Sequence, residues 1–120
     1  MNILIVEDDI EIRMLLDDAL DEIANVTFAS SADDGLATYM TQSFDCVIAD
    51  HILPGDVNGW QMLKTMRQLH RNTTYVLFTG AILSDEERAG ILQDNIILWE
   101  KPNMDLAFLE YLGKDKSNLA

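Results

Sequence analysis

The sequence predicts an α/β domain: a doubly wound, five-stranded parallel sheet flanked by five helices. Three observations carry this. Five short apolar runs alternate with five segments whose apolar residues recur at helical spacing. The runs are continuously apolar rather than alternating, as strands buried on both faces are. Each run also ends abruptly in polar residues, which suits a sheet whose strands all point the same way. Right-handed crossovers then place helices on both faces. The order 2-1-3-4-5 is a common solution for such a sheet.

Residues 2–6 read as the first strand. A helix over 9–23 follows, with Ile12, Leu15, Leu16, Ala19, Leu20 and Ile23 on one face. Residues 25–29 form a short second strand. Ser31 is the expected N-cap of a helix over 32–42, with Asp34 three residues on. Residues 44–49 are the third strand. Asn58 caps a third helix, 59–70, with Trp60, Leu63 and Met66 facing inward. Residues 74–78 are the fourth strand. Ser84 starts a fourth helix, and Asp85, Glu86 and Glu87 in its first turn suit the helix dipole. Residues 96–100 are the fifth strand. Asn103 caps a last helix carrying Leu106, Leu109 and Leu112, and Gly113 ends it. One domain is expected over 1–113, with 114–120 as a polar tail.

The 120 residues suit one domain, and 48% hydrophobic content is enough for a packed core. No apolar run approaches the ~20 residues that cross a bilayer, so no membrane partner is expected. Met1 leads almost directly into a strand, so no signal peptide is expected. Cys46 is the single cysteine and lies in an apolar strand, so a buried core thiol and a cytoplasmic location are expected. The formal charge is -13, from 21 acids against 8 bases. Nucleic-acid binding by this domain is therefore not expected, because a phosphate backbone needs a basic face. Part of the acidity is local: Asp8, Asp9, Glu11, Asp17, Asp18, Asp21 and Glu22 crowd the first helix with only Arg13 among them. Most of these acids read as a solvated face.

The polar strand ends carry the chemistry. Ligands of open α/β sheets bind at the C-terminal ends of the strands, in the crevice where the strand order reverses. Glu7-Asp8-Asp9 follow the first strand and Asp50 follows the third, so both reach that crevice. Thr79 ends the fourth run, and Lys101 ends the fifth. Carboxylates crowded in one crevice repel each other unless a cation intervenes. Hard oxygen ligands favour Mg²⁺.

This set, an acid cluster, a single Asp, a hydroxyl and a lysine at successive strand ends, resembles the receiver domain of two-component response regulators. The resemblance covers residues 1 to about 112. It implies that Asp50 accepts a phosphoryl group from a sensor histidine kinase or a histidine phosphotransfer protein. It implies Mg²⁺ bound directly by Asp8 and Asp50, through water by Glu7, and by the Ile52 carbonyl. Lys101 would meet one phosphoryl oxygen, and the Thr79 hydroxyl, or the backbone N–H groups in the Ile52 and Ala81 neighbourhood, another. Such a domain promotes its own phosphorylation and dephosphorylation and is not a conventional turnover enzyme. It signals by binding a downstream protein target.

The sequence departs from the family pattern in places. Pro54-Gly55-Asp56-Val57-Asn58-Gly59 has one residue more between Pro and Gly than the commonest form. Leu98 stands where the family usually carries an aromatic ring that swings inward, and Trp99 is its neighbour. Asn103 replaces a frequent Phe. The Leu98 exchange alone supports one alternative, a degenerate receiver acting as an unphosphorylated interaction module. A haloacid-dehalogenase-like phosphatase needs a second Asp two residues after the first, and that position is Ile52. A flavodoxin needs a Ser/Thr/Gly-rich phosphate loop where this chain has Glu7-Asp8-Asp9. His51 and His70 lack partners at metal-ligand spacing and read as loop or helix-surface residues. Ile10 and Met14 lie off the inward stripe of the first helix, beside the crevice, and read as a contact patch for the kinase-side partner.

Overall fold

A computed structural model describes residues 1–69 and 72–100. Its elements in chain order are β1 (Asn2–Val6), α1 (Ile10–Leu20), β2 (Asn25–Ala29), α2 (Ala32–Tyr39), β3 (Cys46–Ala49), α3 (Gly59–Leu69), β4 (Thr74–Thr79), α4 (Asp85–Gln93) and β5 (Ile97–Glu100). The strands form one sheet in the order β2-β1-β3-β4-β5. Every neighbouring pair is parallel. Four helices lie among the described residues. The fifth expected helix, 103–112, falls outside them, as do His70, Lys101 and the tail over 114–120.

The apolar runs are buried on both sheet faces because successive side chains point to opposite sides. Leu4, Val6, Val47, Ala49, Tyr75 and Leu77 share one face with Met62, Leu63 and Met66 of α3 and Ile91 of α4. Ile3, Ile5, Cys46, Ile48, Val76 and Phe78 share the other with Leu16 and Leu20 of α1. Burying one such side chain contributes about 1.5–3 kcal/mol, so these two layers set the strand register firmly. The polar exception is a pair of core tyrosines. The Tyr39 and Tyr75 hydroxyl oxygens lie 2.6 Å apart, and the Tyr75 hydroxyl donates to the Met66 carbonyl at 3.1 Å. This chain ties α2, β4 and α3 together with its polar atoms satisfied.

Local chemistry explains the helix ends. Asp9 is extended and its side chain accepts from the Glu11 N–H, which makes it the N-cap of α1 rather than its first residue. Ser31 caps α2 by accepting from the Asp34 N–H at 3.1 Å. Asn58 and Gln61 cap α3 reciprocally, each side chain accepting from the other residue's N–H at 2.9 Å. Ser84 and Glu87 form the same kind of capping box on α4.

Several expected boundaries are too wide. α1 stops at Leu20, where the chain turns with the Ile23 and Ala24 N–H groups both donating to the Leu20 carbonyl. Its last turn carries acids and no base, which opposes the helix dipole. The inward stripe is correspondingly narrower: Leu16 and Leu20 are buried, whereas Leu15 is 56% exposed and Ile23 40% exposed. α2 ends at Tyr39 with Met40 as its C-cap. Phe44 is buried but precedes the β3 ladder, where it stacks against Tyr39. In α3, Leu63 and Met66 face the core as expected. Trp60 sits at the edge of the core rather than within it.

Candidate phosphoacceptor and metal site

The ladder delivers the acids to one place. Val6 of β1 pairs with Ala49 of β3, so the residues that follow, Glu7 and Asp50, leave the sheet side by side. The Asp50 N–H donates to the Val6 carbonyl at 3.0 Å, and the Glu7 N–H to the Ala29 carbonyl at 3.0 Å. Both carboxylates therefore stand on backbone fixed by the sheet. Glu7, Asp8 and Asp50 each offer a carboxylate oxygen, and these oxygens lie within 4.8 Å of one another. Burial is graded across them: Glu7 is buried, Asp50 is half-buried and Asp8 is exposed. Glu7 Oε1 also accepts from the Asp9 N–H at 3.1 Å, which orients the deepest carboxylate. Three hard oxygen donors at this spacing, open to water on one side, fit a divalent cation such as Mg²⁺ that keeps part of its hydration shell.

The remaining expected site residues are placed unevenly. Thr79 is the last residue of β4 and is buried. Its Oγ1 accepts from the Ala81 N–H at 3.0 Å, which folds the β4–α4 loop back on the strand end. Ile52 lies two residues beyond Asp50 with its side chain 67% exposed, so any ligand role would fall to its carbonyl. Lys101 lies outside the described residues. It follows directly on Glu100, which pairs with Thr79 in the β4–β5 register.

Two residues matter more to the site than the sequence suggests. Gly59, first residue of α3, donates its N–H to the His51 carbonyl at 2.9 Å. A Cβ at this position would lie 1.9 Å from the Asp50 carbonyl oxygen, so α3 seats directly against the backbone of the candidate phosphoacceptor. The Pro-to-Gly spacing singles out Gly59, but the close approach comes from tertiary packing. His51 is the second. Its ring is largely buried, with Nε2 3.9 Å from Glu87 Oε2 on α4. Its Nδ1 is buried with no hydrogen-bond partner in the structure. The Glu87 carboxyl is held below its usual range, chiefly by its bond from the Ser84 backbone and next by the Ser84 side chain.

Leu98 and Trp99 take opposite faces of β5, as their adjacency requires. Leu98 packs against the α3 side of the sheet and Trp99 belongs to the α1 side. Trp99 stacks on Phe78 with ring centres 4.5 Å apart. Cys46 is fully buried, and burial, reinforced by Asp45, pushes its thiol up to about 12. It is a protonated core side chain with no nucleophilic character at neutral pH. Ile10 and Met14 are 67% and 66% exposed at the N-terminal end of α1. No helix among the described residues is long and apolar enough to cross a membrane.

The fold is a doubly wound α/β sheet with an acid cluster at its switch point, and comparison with known proteins gives the family. The family model of the response regulator receiver domain matches residues 3–97. The chain is 42% identical over 83 residues to the probable transcriptional regulatory protein SilR of Salmonella typhimurium, covering 67% of this chain and 35% of that protein. It is 30% identical over 90 residues to the transcriptional regulatory protein CiaR of Streptococcus pneumoniae, covering 75% and 40%. Among solved structures, a CheY-like receiver domain protein from Methanospirillum hungatei superposes with a TM-score of 0.85 at 28% identity, covering 98% of this chain and 93% of that one. The chain belongs to the response regulator receiver domain family. It spans 35–40% of the length of these two curated relatives.

Proposed function

We propose that the domain is a phosphoacceptor switch in which Asp50 takes a phosphoryl group from a phosphohistidine. The donor would be a sensor histidine kinase or a histidine phosphotransfer protein. An Asp50 carboxylate oxygen forms the new O–P bond as the P–N bond to the donor imidazole breaks. The observation that carries this reading is the convergence of Glu7, Asp8 and Asp50 at the switch point, with Asp50 alone projecting from the end of β3. Carboxylates are established covalent acceptors in phosphoryl transfer.

This chain's residues supply the positioning that such a transfer needs. The β1–β3 ladder and Gly59 fix the Asp50 backbone. Glu7 and Asp8 gather negative charge that draws a cation to the same crevice. Mg²⁺, when bound there, supplies positive charge against the transferring phosphoryl oxygens. Thr79, at the neighbouring strand end, has a hydroxyl hydrogen free to donate while its oxygen accepts from Ala81. Lys101 is assigned the second positive charge on the strength of its position after β5. Exposed Ile10 and Met14 beside the acids suit docking of the donor protein. The resulting change would be read by a protein target at the surface. The alternative, an interaction module that is never phosphorylated, rests on Leu98, and the acid cluster gives it no support.

Incubation with acetyl phosphate and Mg²⁺, followed by intact mass measurement, tests the reading. One phosphoryl adduct is expected on the wild type and none on Asp50→Asn. An adduct that survives the substitution would refute it.

A further inference from the structure

Asn58 ends the loop that carries one residue more than the commonest family form, and it is the one asparagine in the chain followed by glycine. That pairing has its own chemistry. Gly59 has no side chain to shield its backbone nitrogen, so the nitrogen can attack the side-chain carbonyl carbon of Asn58. A Gly59 N–Cγ bond forms, the Cγ–Nδ2 bond breaks, and the Gly59 proton leaves with the amide as ammonia. Water then opens the cyclic imide at either carbonyl. One product is aspartate. The other is isoaspartate, whose main chain runs through Cβ and Cγ and is longer by one carbon.

The folded domain ties up both reacting groups. The Gly59 N–H donates to the His51 carbonyl at 2.9 Å. Asn58 Oδ1 accepts from the Gln61 N–H at 2.9 Å, and Gln61 Oε1 accepts from the Asn58 N–H at 2.9 Å. The Asn58 carbonyl accepts from the Met62 N–H at 3.1 Å, so the residue is fixed from both sides. Cyclisation would take the nitrogen from His51 and the side-chain carbonyl from Gln61, and losing those bonds raises its barrier. Gly59 is buried, while Pro54, Gly55 and Asp56 in the same loop are exposed.

We propose that Asn58–Gly59 is a modification site gated by folding, closed to imide formation while α3 is seated on the Asp50 backbone and open whenever that seat is lost. The two products then part ways. Aspartate keeps the main chain and caps a helix as well as asparagine does, so the domain refolds around it. Isoaspartate does not fit. Even a Cβ at Gly59 would lie 1.9 Å from the Asp50 carbonyl oxygen, 2.8 Å from the Asp50 carbonyl carbon and 3.2 Å from the His51 Cα. A longer main chain at this point must move α3 off Asp50. Rearrangement therefore turns a transient local opening into a permanent one, at the turn that positions the end of β3. The inference makes no use of phosphoryl transfer.

Incubation of the whole chain at mildly alkaline pH, in native buffer and in urea, tests the gate. Peptide mapping that separates the two acids by retention reads the outcome. Both are expected at position 58 in urea. In native buffer they should form at least about tenfold more slowly, as the loss of two hydrogen bonds implies. No conversion in urea, or equal rates in the two conditions, would overturn the proposal. A second arm dilutes the urea-aged protein into native buffer and digests whatever stays unfolded with a nonspecific protease. Among the survivors aspartate at position 58 should persist, and isoaspartate should be depleted about tenfold or more. Equal survival of the two would overturn the claim that the fold rejects isoaspartate. Asn58→Ser keeps a capping oxygen and lacks the carbonyl that the nitrogen attacks. Aged in the same urea, it should refold as fully as unaged protein. A loss equal to that of the wild type would place the damage elsewhere and overturn the assignment to Asn58.

Discussion

A side chain at Gly59 would place its Cβ 1.9 Å from the carbonyl oxygen of Asp50. The helix that follows the β3–α3 loop is packed against the very backbone that carries the candidate nucleophile. Gly59 is thus a positioning residue: it allows the β3 end and the α3 start to touch, and its N–H secures the His51 carbonyl. Gly59→Ala should destabilise the domain by about 3 kcal/mol, the upper end of overpacking costs, because backbone must shift to admit the methyl group. It should also slow labelling of Asp50 by acetyl phosphate more than its stability loss alone would. Urea unfolding and the labelling rate at a concentration of protein known to be folded check both parts. A change within about 0.5 kcal/mol with normal labelling would show that the backbone approach is unimportant.

The clustered carboxylates make metal binding a stability matter. Glu7, Asp8 and Asp50 repel each other, and a cation that binds only the folded state relieves that repulsion. Mg²⁺ should stabilise the wild type by RT ln(1 + [L]/Kd), about 2.7 kcal/mol at roughly 100 times Kd. Asp8→Asn should be more stable than wild type without metal and should gain less when Mg²⁺ is added. Thermal melts with and without millimolar Mg²⁺ decide it. Coincident wild-type melts, with no gain in metal-free Asp8→Asn, would place the cation elsewhere.

Acid should loosen the first half of α4 before it unfolds the domain. The Glu87 carboxyl is lowered chiefly by its bond from the Ser84 backbone, and Glu100 is lowered chiefly by its bond from Arg88. Both folded-state values lie below the unfolded ones. Their contribution is therefore complete above the ordinary glutamate value, about 4.3, and is lost as pH falls through the depressed folded values. Faster amide exchange at 86–89 is expected at pH 3.5 than at pH 6 after correction for intrinsic rates, with β1 still protected. Uniform loss of protection across both elements would contradict this.

The donor-docking patch can be separated from the chemistry. Met14 is 66% exposed on α1. Met14→Lys should slow phosphotransfer from the cognate histidine donor about tenfold or more, as loss of an apolar anchor does. Labelling by acetyl phosphate, which needs no docking, should be unchanged. Equal losses with both donors would remove Met14 from any docking role.

The fold was legible because continuous apolar runs and helix-spaced stripes are local signals. The caps at Ser31, Asn58 and Ser84 and the opposite facing of Leu98 and Trp99 follow from capping chemistry and periodicity, whereas the strand order comes from the fold class that the alternating elements imply. The acid cluster was legible because a parallel sheet brings all its C-terminal strand ends to one edge. Other features depend on packing between distant segments, which no local pattern encodes. Trp60 reads as a core residue by spacing, yet it bridges to Asp94, 34 residues away. His51 reads as a loop residue, yet its ring is buried near Glu87. Leu15 and Ile23 fit the α1 stripe by spacing, yet both are substantially exposed. The extent of α1 was overestimated because its C-terminal acids were weighed as surface charge and not as a termination signal.

The central claim is that the Asp50 carboxylate itself carries the phosphoryl group. Treatment of the protein with acetyl phosphate and Mg²⁺, then borohydride, reduces an aspartyl phosphate to homoserine and marks the labelled residue permanently. Peptide mass mapping should find homoserine at position 50 and at no other aspartate, including the neighbouring Asp8 and Asp9. Asp50→Asn should yield none, and withholding Mg²⁺ should suppress the product. Homoserine at Asp8 or Asp9, or its absence from position 50 in a protein that gains phosphoryl mass, would contradict the claim.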